Sequence, residues 1–145
     1  MKRIYAREEF CLGCRLCEIH CLVRHSKSKK IIKAFRQEKD QVVPGVMVES
    51  SGHATFAMQC RHCDSAPCIE ACISGAMQRD KKTGAVLCDA DRCVGCWMCV
   101  MVCPAGAVRQ GKEQKAASKC DLCAGDQTPV CVLNCPNEAI VYEER

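Results

Sequence analysis

The sequence is poor in aromatic residues and has no long apolar run. Aromatic side chains make up 4% of its 145 residues, which is thin for a conventional hydrophobic core. Its most apolar segment, residues 94–108, is interrupted by cysteines and contains Pro104, so it falls short of the roughly eighteen apolar residues of a membrane span. We therefore expect no direct membrane insertion, and a fold that needs stabilisation besides hydrophobic burial.

Motifs for export and catalysis are also missing. The first ten residues hold neither the apolar core nor the cleavage pattern of a secretory signal peptide. There is no P-loop, no G-x-G-x-x-G fingerprint and no C-x3-C-x2-C radical loop, and the length leaves no room for a separate catalytic domain. We expect a non-catalytic protein of the cytoplasm.

Cysteine, in contrast, is abundant. Of seventeen cysteines, sixteen fall into four groups of four, each with at least one C-x2-C pair. In chain order, the groups are Cys11, Cys14, Cys17 and Cys21; Cys60, Cys63, Cys68 and Cys72; Cys93, Cys96, Cys99 and Cys103; and Cys120, Cys123, Cys131 and Cys135. The seventeenth, Cys88, stands apart.

The spacing of these groups separates three classes of protein. A secreted disulfide scaffold is disfavoured by the missing signal peptide, and zinc is usually held by two C-x2-C knuckles. Groups one and three instead have two successive x2 spacings, which lets one loop wrap a face of a cubane. Group three, followed by Pro104, fits the bacterial ferredoxin run residue for residue. The sequence therefore predicts four [4Fe–4S] clusters.

Four clusters change how the composition is interpreted. The formal net charge is +4, but an oxidised cubane with four thiolates carries about −2, so four of them bring the total to about −4. The basic composition is therefore no sign of nucleic-acid binding. Metal–thiolate bonds would also replace part of the missing core, so we expect the apo chain to be largely unfolded.

Between the cysteine groups, the sequence predicts short strands and hairpins. Apolar strand signals follow three of the fourth cysteines, at residues 73–77, 104–108 and 136–142. Turn signals at residues 80–84 and 111–113 predict two hairpins, the first with a positive φ at Gly84.

A cysteine-free stretch, residues 25–53, separates the first two groups. Strand-like runs at residues 41–48 and 54–58 are broken by Pro44-Gly45 and residues 50–52, which favours irregular, partner-facing structure. The basic residues between positions 24 and 39 form either a solvated face or a docking surface for an acidic partner. They are Arg24, Lys27, Lys29, Lys30, Lys33, Arg36 and Lys39.

The cysteine motifs at residues 60–72, 93–99 and 119–123 resemble those of a known family. It comprises the four-cluster ferredoxin-like electron-transfer subunits of molybdenum and tungsten oxidoreductases, formate dehydrogenases, hydrogenase complexes and anaerobic carbon monoxide dehydrogenases. The resemblance covers nearly the whole chain. The segments 11–17 and 135–142 look most like the ferredoxin-like subunit associated with carbon monoxide dehydrogenase.

The resemblance implies an α+β fold of two bacterial-ferredoxin-like modules with pseudo-twofold symmetry, one inserted into the other. Short strands and short helices would surround the four cubanes. Residues 1–24 and 112–145 would form a discontinuous module, residues 25–53 a linking region, and residues 54–111 the inserted module. Each module would hold two clusters.

The resemblance also implies ligand sets in which each fourth cysteine serves the other group of its module. The first set is Cys11, Cys14, Cys17 and Cys135; the second is Cys60, Cys63, Cys68 and Cys103; the third is Cys93, Cys96, Cys99 and Cys72; and the fourth is Cys120, Cys123, Cys131 and Cys21.

The function implied is the relay of single electrons between a catalytic oxidoreductase subunit and a second partner. The catalytic subunit would be of the carbon monoxide dehydrogenase, formate dehydrogenase or tungsten and molybdenum type. The second partner would be a flavoprotein, a hydrogenase or a ferredoxin. Three alternatives remain, namely a freely diffusing polyferredoxin, a structural cluster scaffold and an iron–sulfur redox sensor.

Five further residues attract attention. Cys88 is expected to be a buried inert thiol rather than a ligand or redox switch. His62 neighbours cluster ligands and should have a hydrogen-bonding or surface role, while Trp97 should shield a cluster from water. His25 and His53 have no companion in the sequence that indicates a function.

Overall fold

The computed structural model describes residues 1–144 as a small α+β fold with short elements around its cysteines. The strands are β1 (Arg3–Ala6), β2 (Val46–Ser51), β3 (Ala54–Gln59), β4 (Met77–Arg79), β5 (Val86–Cys88), β6 (Arg109–Gln110), β7 (Ala117–Ser118) and β8 (Ile140–Glu143). The helices are α1 (Leu16–His25), α2 (Ile31–Lys33), α3 (Pro67–Glu70), α4 (Met98–Met101) and α5 (Val130–Leu133). A 3-10 turn (Glu8–Phe10) precedes α1, and a π-helical turn (Ala34–Glu38) continues α2. The α+β expectation is thus confirmed.

The strands pair into four separate two-stranded antiparallel sheets. Three are local hairpins, β2 with β3, β4 with β5 and β6 with β7. The fourth joins distant segments, because β1 pairs with β8 so that Ala6 lies opposite Ile140. The first and last cysteine groups, which flank these strands, are thereby drawn together.

Four helices repeat one relation to the cysteines. The third cysteine of each group is the second residue of a helix, namely Cys17 in α1, Cys68 in α3, Cys99 in α4 and Cys131 in α5. Helix α1 packs against α5, and α3 packs against α4. Group one therefore faces group four, and group two faces group three.

The strands behind the fourth cysteines begin later than the sequence signals suggest. The observed strands start at Met77, Arg109 and Ile140, because the preceding residues form a turn. Gly75 and Gly106 take positive φ angles of 62° and 57° in that turn, where glycine avoids a steric penalty. The buried alanines that follow explain the apolar signal. They are Ala76, Ala107 and Ala139.

The two predicted hairpins are confirmed as β4–β5 and β6–β7, and Gly84 has the expected positive φ of 73°. The expectation of irregular structure between the first two groups holds for residues 39–45 but is wrong for Val46–Ser51, which form β2. Ser50 and Ser51 pair with β3 instead of breaking the strand, so the β2–β3 hairpin crosses the expected boundary at residue 53. Alternate residues of β2, Val46 and Val48, are buried, and this one-sided burial anchors the hairpin.

The interior mixes aliphatic side chains with thiols. One buried cluster joins Ile4, Val46 and Ile140 to Cys17 and Cys131. A smaller one joins Met77 and Val108 to Cys99. Within residues 1–144, no helix is long and apolar enough to cross a membrane.

Candidate metal centres

Two apolar cavities of similar size are lined by cysteines from two chain segments each. The first spans about 340 Å³, a volume that includes space open to solvent, and is lined by Cys11, Cys14, Cys17 and Cys135. The second spans about 320 Å³ by the same measure and is lined by Cys72, Cys93, Cys96, Cys99 and also Cys88. In each cavity, three cysteines come from one loop and another is the fourth cysteine of the facing group. These are the groupings predicted for the first and third sets.

The cysteines of the other two predicted sets also lie near one another. Burial raises the pKa of Cys131, and nearby sulfurs raise it further; among them are those of Cys120, Cys21 and Cys123. Burial likewise raises the pKa of Cys68, as do the sulfurs of Cys60 and Cys103. The remaining member, Cys63, is half-buried, and its carbonyl oxygen accepts a hydrogen bond from Arg79 Nη2 (2.5 Å). The ligand assignments themselves stay predictions.

Each fourth cysteine accepts a backbone N–H at its sulfur. Cys135 accepts from Ala139 (3.2 Å), and Cys103 accepts from Ala107 (3.4 Å). Met77 N–H reaches Cys72 Sγ at 3.4 Å, and Gly45 N–H reaches Cys21 Sγ at 3.2 Å. Such donors stabilise a thiolate and tune any metal it binds. The turn that follows each of Cys72, Cys103 and Cys135 therefore has a role. It points a backbone N–H back at the cysteine sulfur, and this is why the strand begins later than the sequence indicates.

Gly45 has a second role besides its hydrogen bond to Cys21. A Cβ at this position would lie 2.7 Å from the Cα of Cys120, a distance that real side chains do not tolerate. Only a residue without a side chain fits between Cys21 and Cys120. The cysteine-free stretch therefore contributes directly to the site.

His25 links the first cysteine group to the fourth through hydrogen bonds. The expectation that it has no companion that indicates a function is therefore wrong. Its Nδ1 donates to the carbonyl oxygen of Cys21 (2.8 Å) and lies 3.7 Å from Cys21 Sγ. Its Nε2 donates to Asp121 Oδ1 (3.1 Å), which also accepts the N–H of Cys123 (2.9 Å). Because both ring nitrogens donate, His25 is a cation.

The pKa values agree with that ion pair. Hydrogen bonds to Asp121 and then Cys21 raise the pKa of His25 to about 11. Burial alone would raise the pKa of Asp121, but the hydrogen bond and charge of His25 outweigh it and lower the value to about 2. The two partners are 96 positions apart in the sequence, which hides them from motif analysis.

His62 is fully buried, so the alternative of a surface role is wrong. Its backbone N–H donates to Cys60 Sγ (3.4 Å), and its ring Nδ1 accepts the backbone N–H of Val86 (3.0 Å). Burial, followed by the charges of Lys119 and Arg3, lowers its pKa to about 3, so the proton sits on Nε2. Within residues 1–144, Nε2 has no hydrogen-bond partner. A buried N–H beside a cysteine ligand suits a cluster sulfur as acceptor.

The cysteines are the candidate ligands of these centres. All seventeen cysteines lie within the described residues and are free thiols. Among residues 1–144, no three metal-binding side chains lie close enough to share one metal ion, whereas a four-iron cube holds its cysteines farther apart. Apolar cavities ringed by thiols match that wider spacing.

The chain is similar to known iron–sulfur and electron-transport proteins. Residues 52–145 match the family described as 4Fe-4S dicluster domain. The chain is 37% identical to an "Iron-sulfur protein" of Rhodospirillum rubrum, over 94% of this chain and 79% of that one. It is 33% identical to "Electron transport protein HydN" of Escherichia coli K12, over 98% and 87% of the two chains. In fold it is similar to a chain of the BamBC complex of benzoyl coenzyme A reductase, with 21% identity, a TM-score of 0.55 and coverage of 100% and 80%.

Replacing Gly45 by alanine should disrupt one centre. Its new Cβ would displace the backbone of Cys120 and remove the N–H from Cys21. We expect the loss of one cluster's iron, about four atoms per chain, measured by iron analysis of anaerobically purified protein. Gly52→Ala is the control, because nothing lies within 4 Å of its added Cβ and the strain from its positive φ of 59° falls on an exposed hairpin turn. Equal iron contents in the two variants would contradict this role for Gly45.

The His25–Asp121 pair should make stability fall at alkaline pH. Below the unfolded pKa of about 6.5, His25 is protonated in both states. Between that pH and the folded pKa of about 11, only the folded state keeps the proton, so its stabilisation is progressively lost as pH rises. Solvent weakens the effect because the ring is 31% exposed.

We expect the thermal midpoint of the wild type to fall more between pH 6 and pH 9 than that of His25→Asn. His53→Asn, on the exposed turn beside Gly52, controls for loss of an imidazole and should behave as the wild type does. An identical pH response in all three proteins would show that the pair contributes nothing.

Proposed function

The chain belongs to the 4Fe-4S dicluster family of ferredoxin-like electron-transfer proteins, and on that premise we propose that four [4Fe–4S] clusters relay single electrons here between a catalytic oxidoreductase subunit and a second redox partner. The observation that carries the proposal is the convergence of Cys135 on the loop of Cys11, Cys14 and Cys17 around one cavity. A cubane, when bound, supplies one-electron chemistry with little change in ligand geometry. The chain itself binds the cluster, shields it from water and sets its reduction potential.

The ligand sets of the proposal are reciprocal. They are Cys11, Cys14, Cys17 and Cys135; Cys60, Cys63, Cys68 and Cys103; Cys93, Cys96, Cys99 and Cys72; and Cys120, Cys123, Cys131 and Cys21. The two cavities support the first and third sets. The pairing of β1 with β8 and the packing of α1 on α5 support an outer module that encloses an inserted one. The β2–β3 hairpin joins the outer module, because Val46, Val48 and Ala57 share its core.

The sulfurs of neighbouring sets influence one another in a consistent order. Cys17 of the first set contributes to the raised pKa of Cys131 in the fourth. Cys60 of the second set contributes to that of Cys120 in the fourth. Cys68 of the second set contributes to that of Cys99 in the third. These electrostatic influences support a linear path with the first and third sets at its ends.

Exposure of the end sets supports the same path. Of the seventeen cysteines, Cys14 and Cys96 are the exposed ones, and each is the middle cysteine of an end loop. Apolar side chains beside them, Leu12 and Val94, are 71% and 53% exposed. Electron transfer slows steeply with distance, so an electron should enter near one of these loops and leave near the other.

The residues that line the two end cavities influence the reduction potential of the clusters proposed there. Trp97 lines the cavity of the third set, and Phe10 lines that of the first. Apolar walls limit water and so disfavour the more negative reduced state, while the N–H donors to Cys72 and Cys135 favour it. The balance between burial and hydrogen bonding sets the potential at each end.

Double variants test the reciprocal sets. The wild type should contain about sixteen irons and sixteen sulfides per chain. Cys11→Ala and Cys135→Ala should remove the same cluster, so the double variant should lose no more iron than either single variant. Cys120→Ala combined with Cys135→Ala should remove two clusters. The opposite pattern would mean that each group ligates its own cluster, and zinc without sulfide in the wild type would refute the clusters altogether.

An exposed patch on α2 and the π-helical turn is proposed to anchor the catalytic subunit. Ile31, Ile32 and Phe35 are 52%, 72% and 52% exposed. Their charged neighbours are basic, namely Lys30, Lys33, Arg36 and Lys39. Glu38 is the one acidic residue within residues 30–39. It is buried, and its carboxylate accepts the backbone N–H of Lys27 (2.7 Å). An apolar centre with a basic rim fits a partner surface that is apolar with an acidic rim.

A charge placed in this patch should uncouple the two subunits. We propose a catalytic subunit of the carbon monoxide dehydrogenase, formate dehydrogenase or tungsten and molybdenum type, identified by its metal in the anaerobically purified complex. Ile32→Glu should then slow reduction by the purified catalytic subunit at least tenfold, while dithionite still reduces the chain fully. Leu133→Glu, at a residue that is 68% exposed on α5, is the control. Equal reduction of both variants would remove this patch from the interface and favour a freely diffusing carrier.

A further inference from the structure

Cys88 lies inside the cavity of the third set and not apart from it. The cavity is lined by five cysteines, and Cys88 is the one that the proposed ligand sets do not use. Cys88 ends β5 opposite Met77, and the N–H of Met77 donates to Cys72 Sγ (3.4 Å). The residue expected to be a bystander is therefore built into the wall of a centre.

The first set provides an internal comparison for this position. Ala6 lies opposite Ile140 in the β1–β8 pair, as Cys88 lies opposite Met77 in β4–β5. Ala6 also precedes Cys11 by the same number of residues as Cys88 precedes Cys93. The two end centres are thus built alike, but one has an alanine where the other has a thiol.

We propose that the thiol of Cys88 donates a hydrogen bond to the sulfur of Cys93 and thereby raises the reduction potential of the third set's cluster. The inference rests on the proposed function, because it requires that cluster. It makes Cys88 a tuning residue that acts through Cys93. It also makes the two end centres unequal, with the electron favoured at the end where Cys88 lies.

The geometry and chemistry of the thiol support a donor role. The side chain of Cys88 lines the same cavity as that of Cys93, and the charge of the Cys93 sulfur acts on it. An ordinary thiol already keeps its proton at neutral pH, whereas a ligating cysteine is a thiolate acceptor. Donors to ligand sulfur withdraw charge and so stabilise the reduced state.

The cavity wall explains why a thiol suits this position. Its neighbours include Ala76, Met77 and Ala117, which offer no side-chain hydrogen-bonding group. A thiol is a weak donor that also packs as a small hydrophobic group. Low polarity around it strengthens its interaction with the Cys93 sulfur.

Redox titration of the holoprotein, followed by electron paramagnetic resonance under anaerobic conditions, tests the proposal. Cys88→Ala should keep the full iron and sulfide content and lower the potential of one cluster alone. Cys88→Ser should restore the potential, because a hydroxyl also donates. Leu87→Ala, on the preceding residue of β5, controls for loss of packing and should leave every potential unchanged.

Several outcomes would overturn the proposal. Unchanged or raised potentials in Cys88→Ala would exclude the hydrogen bond, and an equal shift in Leu87→Ala would assign the effect to packing. Loss of about four irons from Cys88→Ala would make Cys88 a ligand. Failure of the proposed function is separate, because wild-type protein without iron or sulfide would show it before any variant is compared.

Discussion

The approach of Cys135 to the loop of Cys11, Cys14 and Cys17 is the constraint on which the rest of the structure depends. To bring these sulfurs to one cavity, the chain must return its last segment to its first. The β1–β8 pair and the packing of α5 on α1 secure that return. The chain between these two segments must therefore begin and end near the first cavity.

Sulfur also substitutes for much of what a hydrophobic core normally supplies. Cysteines such as Cys17, Cys99 and Cys131 are buried where larger apolar residues would stand in a chain richer in aromatics. Burial raises the pKa of these thiols, so the empty chain holds protons where the loaded chain holds metal. Because a ligating cysteine is a thiolate, binding of iron at these thiols should release protons.

Sequence reasoning succeeded where the determinants are local. The C-x2-C spacings indicated the clusters, and the turn at Gly84 indicated a hairpin, because both lie within a few residues. It failed where contacts join distant segments, as with His25 and Asp121 or Gly45 and Cys120. It also placed the strands behind the fourth cysteines too early, because the buried alanines there resemble the apolar residues of a strand. These alanines instead belong to turns that point a backbone N–H at a cysteine sulfur.

The two end cavities differ in how far apart their cysteines lie along the chain. Cys72 and Cys99 are synthesised in quick succession, whereas Cys11 must wait for Cys135 until most of the chain has been made. The cysteines of the second cavity are therefore all available earlier in synthesis than those of the first.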